Sequence, residues 1–256
     1  MTPGRWLGRL GPDPRLRAQG LVAFADAFRV DGELVNVDPR SEVLRLGPAG
    51  AGLYLKRFRY PATLAGFLRL GAPSHCRREA ENLDFLATLG VGVPAVLGWG
   101  EERRLGRPRR AFLVTAALEG ARSLERILED GAADGGRRRA IAMELAGQVA
   151  RMHEAGYLDR DLKFRNVMVA ADGRLHHLDS PKGRRFGRAL DLRHAAIDLG
   201  MLLKHAPRFF GAREILRFLA VYAAARGLDR AVRRRLATKA AARARELHRR
   251  GSRSGR

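Results

Sequence analysis

A chain of 256 residues, 46% hydrophobic and 30% charged, is long enough to bury a sizeable core and too apolar to be disordered throughout. Its one cysteine, Cys76, excludes an internal disulfide, and no Cys/His cluster has the spacing of a zinc site. A formal charge of +22 implies attraction to polyanions, which leaves nucleic acid, an anionic membrane face and a phosphorylated or carboxylated substrate open beside a merely solvated arginine surface.

The first twenty residues carry arginines but no apolar run of signal-peptide length, and the longest later run, residues 218–225, falls short of a membrane span. A cytoplasmic location is expected. Residues 28–37, 41–46 and 52–58 read as strands separated by Gly and Pro, and residues 93–101 and 111–118 as two more, which suggests an antiparallel sheet. A helix is predicted over 76–90, with Ala80, Leu83, Leu86 and Ala87 at helical spacing and Gly90 as its stop.

From Ser123 the pattern turns helical. Residues 123–131 have Ser123 as N-cap and Gly131 as terminator; residues 137–156 carry the stripe Ile141, Leu145, Val149 and Met152. Residues 166–170 and 174–179 flank the turn Ala171-Asp172-Gly173 and predict a β-hairpin. Beyond Pro207 two helices are expected, the second capped by Asp229, before a disordered tail at 251–256.

The stretch HEAGYLDRDLKFRNVMV, residues 153–169, carries the chemistry. Phosphoryl transfer needs a carboxylate beside the attacking hydroxyl and oxygen ligands that hold magnesium against the phosphates. Asp161 suits the first role, and Asn166, five residues on, the second. Asp179, after the hairpin, offers the metal a carboxylate. Lys56 in the strand GLYLKRF can reach phosphates while pairing with a helix carboxylate, for which Glu79 is preferred over Glu81.

With these residues in order, the chain resembles the bacterial lipopolysaccharide kinases of the protein-kinase-like superfamily, which phosphorylate Kdo or heptose of the inner core. The likeness runs from about Ser41 through the helical tail and rests on YLKRF, RREAENL, AFLVTAALEGARSL, DRDLKFRN, LDSPKGR and AIDLGMLLK. It implies an α+β, two-lobed protein-kinase-like fold, with a small antiparallel-sheet N-lobe containing one helix and a mainly helical C-lobe. The expected divisions are an extension at 1–20, a nucleotide-binding lobe at 21–120, a catalytic lobe at 121–250 and the tail.

The resemblance implies ATP and Mg2+ as cofactors, with Lys56 on the α- and β-phosphates, Glu79 holding it, and Glu119 and its neighbours as the hinge that receives adenine. Asp161 becomes the base, Lys163 a contact to the transferring phosphate, Asn166 and Asp179 the metal ligands, and Asp198 a buried brace of the catalytic loop. An anionic glycolipid of the lipid A–Kdo/heptose type is the implied acceptor, with peripheral contact at the inner face of the inner membrane; neither nucleic acid nor an obligate protein partner is expected.

Three departures stand out. Asp159 replaces the histidine that precedes Arg-Asp in protein kinases, Ser180-Pro181 replaces the aromatic-glycine pair after the metal aspartate, and no G-x-G-x-x-G is present. Gly47, Gly50 and Gly52 precede the lysine strand and are expected in a hairpin, which leaves residues 31–40 to cover the nucleotide. Alternatives are a serine/threonine protein kinase or other small-molecule kinase of the same fold, and a catalytically silent basic module that binds polyanions.

Overall fold

A computed structural model describes residues 6–48, 51–61 and 71–254, with only the backbone described for Trp6 and residues 251–254. The chain divides into two compact units, Met1–Asp84 with Pro94–Glu119, and Phe85–Val93 with Gly120–Arg256.

In the first unit, strands β1 (Trp6–Leu10), β2 (Glu33–Asp38), β3 (Ser41–Leu46), β4 (Leu53–Arg59), β5 (Val96–Arg104) and β6 (Arg107–Ala116) make one sheet in the order β1-β5-β6-β4-β3-β2. The period of two along β4 sends Leu53 and Leu55 to one face and Tyr54, Lys56 and Phe58 to the other. Leu53 and Leu55 join Leu44, Leu46, Phe112 and Val114 in a core that Leu16, Leu21, Phe24 and Ala27 close.

Residues 1–20, expected as an extension, are thus part of this unit from residue 6 onward: β1 pairs with β5, and Leu16 on the short helix α1 (Pro14–Ala18) is 1% exposed. Burying a leucine of this kind stabilises the unit by about 1.5–3 kcal/mol. Arg57 fastens the following segment by donating from Nε to the Ala27 carbonyl at 2.5 Å and from its guanidinium to the Val30 carbonyl.

The hairpin expected before the lysine strand is present, because β3 and β4 pair from Ser41↔Phe58 to Leu46↔Leu53 and residues 47–52 connect them. Gly47 takes φ +81°, and at Gly52 a Cβ would lie 2.9 Å from Glu119 Oε1, so that a side chain there would push this carboxylate aside; Gly50 lies outside the described residues. The edge strand β2 leaves Leu34, Val35 and Val37 more than half exposed. Helix α2 (His75–Thr88) buries Cys76, Ala80, Leu83 and Leu86 at helical spacing and ends before Gly90, where φ is +65°.

The second unit holds α3 (Leu124–Glu129), α4 (Gly135–Glu154), α5 (Leu192–His205), α6 (Ala212–Ala225) and α7 (Arg230–Ser254). Ser123 caps α3 and Asp134 caps α4, each accepting a backbone N–H of the first turn. Ile141, Leu145 and Val149 of α4 enter the main core with Leu199, Leu219 and Leu236, while Met152 packs with Leu86, Val91 and Tyr157. α7 packs on α5 and α6 on α4.

Asp229 caps α7 by accepting the Val232 N–H at 2.7 Å. The helix runs to Ser254, into the segment expected to be a disordered tail; Leu236, Ala240 and Ala244 dock it, and a nucleated helix extends at little cost. Residues 255–256 lie outside the described residues.

Short strands fix the loops between α4 and α5. β9 (Val167–Val169) and β10 (Leu175–His177) form the expected hairpin, with β9 also paired to β7 (Arg122–Ser123), and β8 (Tyr157–Leu158) pairs with β11 (Arg184–Arg185). Gly156 ends α4 in a left-handed conformation that also admits the Arg188 carbonyl oxygen, 2.3 Å from where a Cβ would stand.

Candidate active site

Two clusters contain the residues singled out from the sequence, one in each unit. In the first, β4 carries Lys56 on the face opposite its leucines, and one helical face of α2 presents Glu79. Lys56 Nζ lies 3.1 Å from both Glu79 carboxylate oxygens, whereas Glu81 pairs with Arg77 on its own helix. The Glu79 side chain is 5% exposed and that of Lys56 18%, so the pair is shielded while the ammonium keeps some access to solvent.

Glu119, at the end of this unit, accepts the Gly52 N–H at 3.1 Å and the Arg45 guanidinium at 3.4 Å. Its carboxylate therefore braces the β3–β4 hairpin. The backbone of residues 117–119 follows β6 directly, and Ala117 N donates to the Gly52 carbonyl.

In the second unit the loop of residues 159–166, the candidate catalytic loop, follows β8. Asp198, on α5 and fully buried, accepts the N–H of Asp159 and of Arg160 at 2.8 Å each, and His153 Nε2 lies 3.2 Å from it. His153 in turn meets the Tyr222 hydroxyl at 2.8 Å, so this histidine packs inside a buried polar network at the end of α4. Arg160 sits at φ +69°, a conformation that costs a non-glycine residue about 1–3 kcal/mol and persists where surrounding bonds enforce it. Asp198 supplies that enforcement.

Asp159, where protein kinases have histidine, is buried. Its carboxyl accepts the Asp161 N–H at 2.9 Å and the Ser180 hydroxyl at 3.3 Å, and so ties this loop to the segment after β10. Burial first, then the nearby Asp198 carboxylate, push its pKa up to about 8.

Asp161 sits between two ammonium groups: Lys163 pairs with Oδ1, and Lys182 Nζ lies 3.1 Å from Oδ2. Burial pushes the Asp161 carboxyl up, but the hydrogen bonds from Lys163 and Lys182 outweigh it and hold the pKa below the usual range. Asn166 donates from Nδ2 to the Asp161 carbonyl at 3.0 Å, and its own carbonyl accepts the Leu178 N–H at 2.8 Å. That last bond extends the β9–β10 ladder by one step and brings Asn166 beside the strand end from which Asp179 projects, at φ +60°.

Asn166 and Asp179 are hard oxygen donors of the kind magnesium takes from a protein while it keeps waters and substrate phosphates as its other ligands. With Nδ2 of Asn166 engaged, its side-chain oxygen is the atom left for a cation. Among the described residues no group of three or more His, Cys, Asp or Glu could hold a metal. A cation at this site therefore depends on phosphate oxygens as well.

Lys182 was not among the residues singled out from the sequence. Only its place three residues after Asp179, in the segment that departs from protein kinases, marked it.

A family model described as "Lipopolysaccharide kinase (Kdo/WaaP) family" matches residues 66–222, more than half of the chain. A solved structure of WaaP in complex with acyl carrier protein is similar at TM-score 0.72 and 24% identity, covering 95% of this chain and 98% of that one, which establishes the protein-kinase-like α+β fold. Comparison with curated protein sequences found no match. By the extent of the family match, the chain belongs to the lipopolysaccharide kinase (Kdo/WaaP) family.

Proposed function

We propose that the protein transfers the γ-phosphate of ATP, with magnesium, to a sugar hydroxyl of the lipopolysaccharide inner core, on Kdo or heptose. The observation that carries this reading is the Asp161 carboxylate set beside Lys163, with Asn166 at one end of the β9–β10 hairpin bonded to Leu178, the residue before Asp179, at the other.

In this reading Lys56, held by Glu79, contacts the α- and β-phosphates, and the backbone near Glu119 receives adenine. The β2–β3 hairpin, whose turn includes Pro39 and Arg40, covers the phosphates in the absence of a glycine-rich motif. Asn166 and Asp179 hold magnesium, which when bound neutralises phosphate charge. Asp161 orients the acceptor hydroxyl and takes its proton as the hydroxyl oxygen bonds to the γ-phosphorus and the bond to the departing ADP breaks. Proton transfer comes late in a loose phosphoryl-transfer transition state, so a carboxylate of low pKa can serve.

The charge of +22 supports an anionic glycolipid acceptor and peripheral contact with an anionic membrane. No helix among the described residues is long and apolar enough to cross a membrane. The similar WaaP structure supports acyl carrier protein as a candidate partner, to be tested by co-purification of the two.

Incubation of the purified protein with labelled ATP, lipid A precursors with and without Kdo or heptose, and a generic protein substrate tests the assignment. Label is expected on the glycolipid. Label on protein alone overturns it in favour of a protein kinase.

A further inference from the structure

The two lysines on Asp161 are unlike each other. Lys163 belongs to the catalytic loop, two residues from the carboxylate, and is 24% exposed; Lys182 comes from the separate segment after β10 and is 60% exposed. One ammonium suffices to neutralise one carboxylate. The second leaves an excess positive charge facing solvent beside the proposed base.

The segment that carries Lys182 adds no carboxylate to offset that charge. Residues 180–190 contain Lys182, Arg184, Arg185 and Arg188 and no Asp or Glu. Arg184 and Arg185 are exposed and rest against aromatic rings, Phe186 at 4.8 Å and Phe85 at 5.2 Å. An ion pair made by so exposed a lysine is worth little, so Lys182 can exchange Asp161 for another anion at small cost.

We propose that Lys182 is an acceptor-binding residue: it takes an oxyanion of the acceptor, a carboxylate or a phosphate close to the reacting hydroxyl, and in leaving Asp161 Oδ2 frees that oxygen for the hydroxyl. This inference rests on the kinase reading and deepens it. Recognition of the anion and release of the base become one event. Neutral acceptors leave Lys182 on Asp161, where it occupies the oxygen the hydroxyl needs, and they are phosphorylated poorly.

The test uses the full chain as wild type, Lys182→Ala and Lys182→Arg, with a Kdo-bearing lipid A precursor, the same acceptor with its Kdo carboxylate reduced, and the same acceptor dephosphorylated. Loss of a charge-assisted contact is expected to raise the acceptor KM of Lys182→Ala about tenfold or more. The KM for ATP stays unchanged, and Lys182→Arg recovers most of the loss. Whichever modified acceptor lacks the recognised anion is expected to be poor for the wild type and no worse for Lys182→Ala, which identifies carboxylate or phosphate as the source.

A fall in kcat of equal size for all three acceptors, with acceptor KM unmoved, overturns the inference and leaves Lys182 serving Asp161 alone. Magnesium-dependent ATP hydrolysis, measured in parallel in the wild type and in Asp161→Asn, separates the two levels. Its absence from the wild type, together with absence of ATP binding, removes the kinase reading and the inference with it.

Discussion

The Lys56–Glu79 pair and the Asp161 cluster answer the same need, a charge held in place, in opposite ways. Lys56 and Glu79 stand on a strand and a helix, an ammonium against a carboxylate, on regular elements whose core faces fix their directions. Asp161 stands on an irregular loop with a left-handed residue on one side, held from beneath by buried carboxyl groups and from outside by two lysines. Regular structure positions the first site; a polar network must enforce the second. The second is therefore the more sensitive to single substitutions.

The largest effect is expected at Asp161 itself. Asp161→Asn should lower kcat at least a hundredfold, the scale of a lost general base, while the urea midpoint and ATP affinity stay near wild type. Asp179→Asn should lower turnover similarly and weaken nucleotide binding only in the presence of magnesium. Equal losses of ATP affinity in both variants without magnesium would show that the two carboxylates act through folding.

Next in size is the brace. Asp198→Asn turns an NH2 group toward one of the two backbone N–H donors and loses the charged partner of His153, so about 3 kcal/mol of stability should go, together with activity. Urea unfolding gives the number. A cost under about 1 kcal/mol would mean that the Asp161 loop keeps its left-handed turn without Asp198, and the contrast between the two regions would fail.

How much of each region was legible follows from the same contrast. The strand pattern of GLYLKRF put Lys56 in a partly buried strand, and helical spacing picked out the face of α4 that packs inward. Both are periodic signals. The first thirty residues have no such period, yet Leu16, Leu21 and Phe24 close a core, because a Gly- and Arg-rich segment can be organised by the sheet it covers rather than by its own pattern. Lys182 escaped for a related reason: its approach to Asp161 is set by where the β9–β10 hairpin ends, a tertiary fact that spacing does not encode. The Asp159 carboxyl was visible as a departure from protein kinases, but its bond to Ser180 joins two loops and was not.

A smaller effect should appear with pH. The Asp159 carboxyl is raised in the folded state from an ordinary 3.8 to about 8 by burial and by Asp198, so the folded protein keeps a proton that the unfolded chain releases. Stability from this group is complete below the unfolded value and is lost as pH rises toward the folded one. Asp159→Asn keeps an acceptor for the Asp161 N–H and faces Ser180 with an NH2 group, so it should flatten the decline of thermal stability between about pH 4 and pH 8. An unchanged slope would assign that decline to other groups.

The smallest effect tests whether the regular region really does without such networks. Glu119 accepts the Gly52 N–H and an Arg45 guanidinium at 3.4 Å, with side-chain exposures of 33% and 28% for Glu119 and Arg45. Glu119→Gln keeps an oxygen for Gly52 and gives up the partly exposed ion pair with Arg45, which costs about 0.5 kcal/mol or less. If adenine is received by backbone groups of the segment that ends here, the KM for ATP should stay within about twofold of wild type, because an amide for a carboxylate leaves that backbone where it was. A clear rise in KM at unchanged stability would instead put the Glu119 carboxylate itself on the nucleotide, and the hairpin bond to Gly52 would then be the means by which the β3–β4 connection responds to ATP.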